Sequence, residues 1–259
     1  MSESASTDDR VLLEQRGPVA LITLNDPSTL NAMNTEMFMA LRGRLEEVGE
    51  DDSCSVVVLT GAGRSFCSGK DMRVAVDPHQ TPTERLGEMR RTWKTVTRMR
   101  EIQQPIIAAV RGHAVGVGFA FAAAADLRVV APDAKFNPVF ARIGMTPGDM
   151  GLSWFLPKII GIGRAAEAFN LAKVIDADTA ERWGLANEIA EDPVERALEL
   201  ADQMSELSPE SLRQTKELLN ASFGGGSLEQ HMEIEIRSQA MISFSRDHRQ
   251  ALDRFSSRG

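Results

Sequence analysis

With 259 residues, 42% of them hydrophobic and 25% charged, the chain is long enough to bury one large core and has an ordinary globular composition. Its formal net charge of −8 disfavours a general nucleic-acid or anionic-membrane surface, so a phosphorylated ligand has to meet a local basic cluster. No stretch reaches the ~18 apolar residues of a membrane span, residues 1–10 lack the basic and apolar regions of a signal peptide, and the two cysteines, Cys54 and Cys67, form no CxxC pair; the expectation is a cytoplasmic protein without a metal or redox motif.

In chain order, residues 1–9 are small and polar and read as a disordered tail. Two β-branched and apolar runs flank Arg16-Gly17-Pro18, which predicts a hairpin. Asn34 or Thr35 can cap a helix in which Met37, Phe38, Leu41, Leu45 and Val48 fall at helical spacing. Residues 56–59 are continuously apolar, as a strand covered on both faces should be. A loop with two prolines, 77–82, precedes a long amphipathic helix over 83–103, and 106–110 is a second buried strand. A strand over 127–131 and a Pro132-Asp133-Ala134 turn follow. The chain then reads as irregular from Phe136 to Gly151, helical over 152–159, and as short helices over 165–171 and 177–183, the latter capped by Asp176 or Asp178. Residues 187–190 are extended, and helical patterns dominate from 193 onward, broken at Ser208-Pro209 and Phe223-Gly224-Gly225-Gly226. Strand–helix alternation with a helical tail argues for an α/β protein with helices appended.

Residues 110–130 concentrate the chemistry. An apolar strand runs into a glycine turn (Gly112, Gly116, Gly118) and then at once into a helix of small residues beginning at Phe119. Glycines there let backbone approach a ligand, and the unpaired N–H groups of the first helical turn suit an anion, or an oxygen that becomes one during reaction. Tight-turn packing alone would use the same glycines.

Upstream, residues 56–72 end in Phe-Cys-Ser-Gly-Lys-Asp-Met. This segment, Val-Arg-Gly-His-Ala-Val-Gly-Val-Gly, the opening Asn25-Asp26-Pro27 with Leu30-Asn31-Ala32-Met33, and the later Phe155-Leu156-Pro157-Lys158-Ile159-Ile160-Gly161 together resemble the crotonase (enoyl-CoA hydratase/isomerase) superfamily over nearly the whole chain. The resemblance implies a crotonase-type ββα spiral over residues 10–192 and a C-terminal helical trimerisation region over 193–259, giving a homotrimer or a dimer of trimers. It implies an acyl-CoA thioester as ligand, with coenzyme A entering as part of the substrate and no separate cofactor, metal, nucleic-acid or membrane partner.

By the same resemblance, the backbone N–H groups of Lys70 and Val117 form an oxyanion hole for the thioester oxygen; a valine at the second position restricts φ to negative values. Ser28, Thr29 and Leu30, with Ser68, Gly69, Asp71, Met72, Arg73 and Gly116, are the implied CoA and substrate contacts. Arg254 and Arg258 either reach a neighbour's phosphates or are solvated helix charges. The two glutamates of similar hydratases are replaced by Ala120 and Phe140, neither of which exchanges a proton; with Trp154 these are the expected acyl-pocket residues. One carboxylate remains in place: Asp149, where single-acid enoyl-CoA isomerases and some C–C hydrolases of the superfamily carry theirs. Phe140, Met145, Met150, Trp154 and Phe155 could keep it dry and raise its pKa. Asp after Gly and before a helix is also an N-cap, and the two roles are compatible. Double-bond isomerisation, hydration and acyl-CoA binding without turnover are the readings this leaves open. His113 reads as a satisfied core histidine and Cys67 as a small core residue.

Overall fold

A computed structural model of the chain describes residues 10–73, 80–148 and 150–256. The tail expected over 1–9 and residues 77–79 of the expected loop lie outside the described residues. Six strands, Val11–Arg16 (β1), Val19–Leu24 (β2), Val56–Gly61 (β3), Ile106–Val110 (β4), Leu127–Val130 (β6) and Glu188–Ile189 (β9), form one sheet in that order. The predicted hairpin pairs β1 and β2 antiparallel with Val11 opposite Leu24, and every later pairing in the sheet is parallel. His113–Val115 (β5), Lys135–Asn137 (β7) and Ile175–Asp176 (β8) make a second sheet.

The helices start where their caps put them. Asn34 accepts from the Met37 N–H and opens Thr35–Glu50 (α1), whose buried stripe is the predicted Met37, Phe38, Leu41, Leu45 and Val48. Each such side chain fully removed from water contributes on the order of 1.5–3 kcal/mol. Thr81 and Glu84 form a reciprocal capping box at Pro82–Glu101 (α2). Val117–Ala124 (α3) begins two residues before the predicted helix, because Gly118 is helical rather than part of the turn. The stretch expected to be irregular after Phe136 contains the end of β7 and a 3-10 turn, Val139–Ile143. Leu152–Ile160 (α4), Ile162–Asn170 (α5) and Ala177–Trp183 (α6) follow, and Asp176 caps α6 by accepting from Thr179 N–H.

Both faces of β3 are covered, and its side chains alternate between two cores. Val57 and Leu59 join Ile22, Leu24, Phe119 and Phe121 on one side. Val56 and Val58 join Leu21, Ile107, Val129 and the Ala197 and Ala201 of Pro193–Ser205 (α7) on the other. That helix therefore covers the back of the sheet, so a boundary between 192 and 193 runs through a packed layer. Pro209–Phe223 (α8), Leu228–Ser243 (α9) and Arg246–Ser256 (α10) complete the chain.

Two buried cations join the layers. Arg128 donates to Ala125 O at 2.8 Å, Ala122 O at 3.3 Å and Leu185 O at 2.5 Å, so it closes the carbonyl end of α3 with a charge matched to the helix dipole. Lys216 on α8 donates to Met99 O (2.9 Å) and Gln104 O (2.8 Å) and lies 3.4 Å from Asp126. Asp126 in turn accepts from Arg100 and from the first N–H of β4.

Candidate active site

Asn31 organises the first wall. It is fully buried with φ 58°, in the left-handed region where Asn is among the better-tolerated residues. Its side-chain oxygen accepts from Asp26 N–H (2.9 Å), and its nitrogen donates to the carbonyls of Ala62 (3.0 Å), Ser65 (2.8 Å) and Phe66 (3.2 Å). This ties the opening segment to the loop after β3 and brings Met33 beside residues 69–71. Met33 N–H donates to Gly69 O at 2.8 Å, and Asp71 N–H donates to Met33 O at 3.0 Å. Met33 thus engages the residues on either side of Lys70, as in a parallel ladder, and Lys70's own N–H faces the other way. On the far side Cys67 pairs with β5 through His113 O and Val115 N. Gly69, at φ 102°, sits where a Cβ would come within 3.1 Å of Val115 O. Neither the Lys70 N–H nor the Val117 N–H has an acceptor among the described residues.

Val117 is the first residue of α3, so its N–H is one of the four that a helix start leaves without an internal partner. Its helical backbone suits a β-branched side chain that could not adopt positive φ. Gly118 is the contact that joins the two donors. A Cβ there would lie 2.4 Å from Cys67 O and 2.7 Å from Cys67 Cβ, a separation only hydrogen permits. The start of α3 is therefore pressed directly onto the strip that carries Lys70.

Both residues open onto one cavity of about 570 Å³. Ser68, Gly69, Asp71, Met72, Gly116 and Phe140 also line it, as do Val115, Val139, Ile143 and Met145. Ser28, Thr29 and Leu30 do not, but Ser68 bonds to the carbonyls of Thr29 (3.0 Å) and Leu30 (2.9 Å), so they back the same strip. Arg73 is turned to Asp71, donating to its two oxygens at 2.9 and 2.8 Å, and this pairing brings the Asp71 carboxyl down to about 2.

Three expectations need correction. Trp154 does not line this cavity: α4 buries Leu152, Phe155, Leu156 and Ile160, and Trp154 lies off that stripe, half exposed, with Lys158 Nζ 2.9 Å from its ring centre. Ala120 is buried inside the protein, not on the cavity wall. His113 is exposed, not a core histidine. Asp149 lies outside the described residues, as does Arg258, and the side chain of Arg254 is likewise not described. Met145 and Phe140 face the cavity, whereas Met150 and Phe155 are core. Cys67 is buried, which pushes its thiol up to about 12 and leaves it unreactive. Among the described residues there is no cluster of His, Cys, Asp or Glu able to hold a metal, and no helix long and apolar enough to cross a membrane.

Sequence reasoning missed Gln80, Arg85 and Glu88, which also line the cavity. Burial raises the Glu88 carboxyl, but donation from Gln80, Lys70 and Arg85 outweighs it and the net shift is downward. The signal was available: positions 85, 88, 92, 95, 96 and 99 form one helical stripe, of which the last four are buried. Charged residues extending a buried stripe are facing something.

The enoyl-CoA hydratase/isomerase family profile matches residues 14–259. The "Probable enoyl-CoA hydratase EchA12" of Mycobacterium tuberculosis is 37% identical over 245 residues, which are 92% of this chain and 86% of that protein. The 1,2-epoxyphenylacetyl-CoA isomerase of Escherichia coli is 33% identical, over 92% of this chain and 91% of its own. Among solved structures, a monofunctional enoyl-CoA isomerase from M. smegmatis superposes with a TM-score of 0.74 at 35% identity, covering 86% of this chain and 98% of that one. The chain belongs to the enoyl-CoA hydratase/isomerase family and has its crotonase-like α/β fold.

Proposed function

We propose that the protein isomerises the double bond of an enoyl-CoA, moving it from the 3- to the 2-position, with Asp149 as the single acid/base. Deprotonation at the carbon next to the thioester sends negative charge onto the thioester oxygen. The Lys70 and Val117 N–H groups receive that oxygen, each worth ~3 kcal/mol at the transition state. Asp149 carries the proton from C2 to C4, so the reaction balances without water, cofactor or metal. The observation that supports this reading is the pair of main-chain N–H groups, without acceptors among the described residues, on the wall of one cavity, in a chain with Ala120 and Phe140 where hydration would need carboxylates. The names of the E. coli and M. smegmatis relatives favour an isomerase, and that of the M. tuberculosis relative a hydratase.

The same reading has the working form as a cytoplasmic homotrimer, or two stacked trimers, built through the C-terminal helices. Among its described residues α9 buries only Ser238 and leaves Met232, Ile236 and Met241 exposed. The direct test compares wild type with Asp149→Asn on 3-enoyl-CoA and 2-enoyl-CoA, with thioester binding measured alongside. Isomerisation by the wild type and binding without turnover by the variant support the proposal. Water addition to 2-enoyl-CoA by the wild type favours the hydratase, and equal binding with no turnover by either protein favours a non-catalytic acyl-CoA binder.

A further inference from the structure

Much of the cavity wall is apolar, and charged side chains gather at the corner where α2 meets the Lys70 strip. Val115, Val139, Phe140, Ile143 and Met145 supply hydrocarbon. Where α2 meets the Lys70 strip, Lys70 Nζ lies 3.3 Å from Glu88 Oε1, while Gln80 Nε2 (3.2 Å) and Arg85 Nη1 (2.9 Å) donate to Oε2. One carboxylate therefore serves three donors. An ammonium has three N–H bonds and a guanidinium five, so Lys70 and Arg85 retain donors after these contacts. They also carry one more positive charge than Glu88 balances. Asp71, the other carboxylate on the described wall, is engaged by Arg73. The corner is sheltered: Lys70, Arg85 and Glu88 are 29%, 26% and 23% exposed.

An alkyl chain laid against this corner would strip water from charged groups and return nothing. A carboxylate would take the guanidinium fork and the ammonium in charge-assisted bonds. Lys70 also fixes how far such a group lies from the reacting carbons. Its N–H faces the thioester oxygen in the proposed reaction, and its Nζ stands at the corner, so the two ends are separated by at most one extended lysine, roughly 7 Å. Resting on the reading that an acyl thioester fills this cavity, we propose that the preferred acyl group is short and ends in a carboxylate. Arg85 is the residue that pairs with it, assisted by Lys70 Nζ, and Glu88 is the internal counter-ion that otherwise holds the two cations together.

The test compares two short 3-enoyl-CoA thioesters of equal chain length, one ending in methyl and one in carboxylate, on wild type, Arg85→Met and Arg85→Lys. Both kcat/KM and calorimetric affinity are measured, with free CoA as a third ligand. The wild type is expected to favour the carboxylated thioester by about tenfold or more. Arg85→Met is expected to reduce that ratio by a similar factor, and Arg85→Lys to fall between, because a point charge lacks the fork. A wild-type preference for the methyl thioester, or a ratio that Arg85→Met leaves unchanged, would overturn the proposal. So would an equal loss of affinity for free CoA in Arg85→Met, which would assign the guanidinium to the phosphates. If neither thioester turns over, the affinity ratio still decides the proposal while the isomerase reading alone fails.

Discussion

Gly118 carries no functional group, yet the site depends on its lack of a side chain. Gly118→Ala would drive a methyl into Cys67 O, and the backbone of one donor segment would have to move. The expected outcome is a loss of activity of tenfold or more with a stability cost of about 1–3 kcal/mol, read from turnover and denaturant unfolding of the same preparation. Asn31→Ala should cost at least ~2 kcal/mol, since three carbonyls and one N–H lose their partner at a fully buried position; chemical denaturation measures it directly. At this scale the sequence was partly readable. The resemblance to the crotonase superfamily singled out Lys70 and Val117, and the fold brings both onto one cavity wall. Arg85 and Glu88 stayed hidden because charges on an amphipathic helix ordinarily face water, and Trp154 misled because nearness in sequence to Asp149 says nothing about which side of α4 it occupies.

Helix α1 was readable from its Asn34 cap and apolar stripe and α2 from its amphipathic pattern, whereas the Thr81 capping box that starts α2, inside the expected loop, emerged only from the fold. Strands of two or three residues such as β7 and β8 were not, because so short a run carries no period; their pairing comes from tertiary contact. The docking of α8 was equally invisible, since Lys216 looks like any surface lysine until its burial is seen. Lys216→Met should cost about 2–4 kcal/mol, because Met99 O and Gln104 O lose their donor and Asp126 a counter-charge. Burial pushes the Lys216 ammonium down to about 8. Between pH 8 and the ordinary lysine value of about 10.4, the unfolded chain binds more protons here than the folded one. This group therefore adds stability as pH rises through that window and withdraws it as pH falls toward 8. Urea unfolding at pH 8, 9 and 10 should show the wild type gaining on Lys216→Met at each step.

At the scale of the whole molecule, the α/β alternation and the covered strand β3 were plain in the sequence, whereas the way in which strip and helix close on one cavity emerged only from the fold. Under the proposed trimeric assembly, sedimentation is expected to read three or six times 28.3 kDa, and Ile236→Asp, at an exposed apolar position of α9, should shift the distribution toward smaller species. In the proposed reaction the Lys70 and Val117 amides polarise a thioester carbonyl. Vibrational difference spectroscopy of an enoyl-CoA carrying ¹³C at that carbonyl tests it most directly. The expected result is a C=O stretch displaced to lower frequency on binding, and a smaller displacement in Gly118→Ala. A bound thioester whose carbonyl vibrates as it does in water would contradict it.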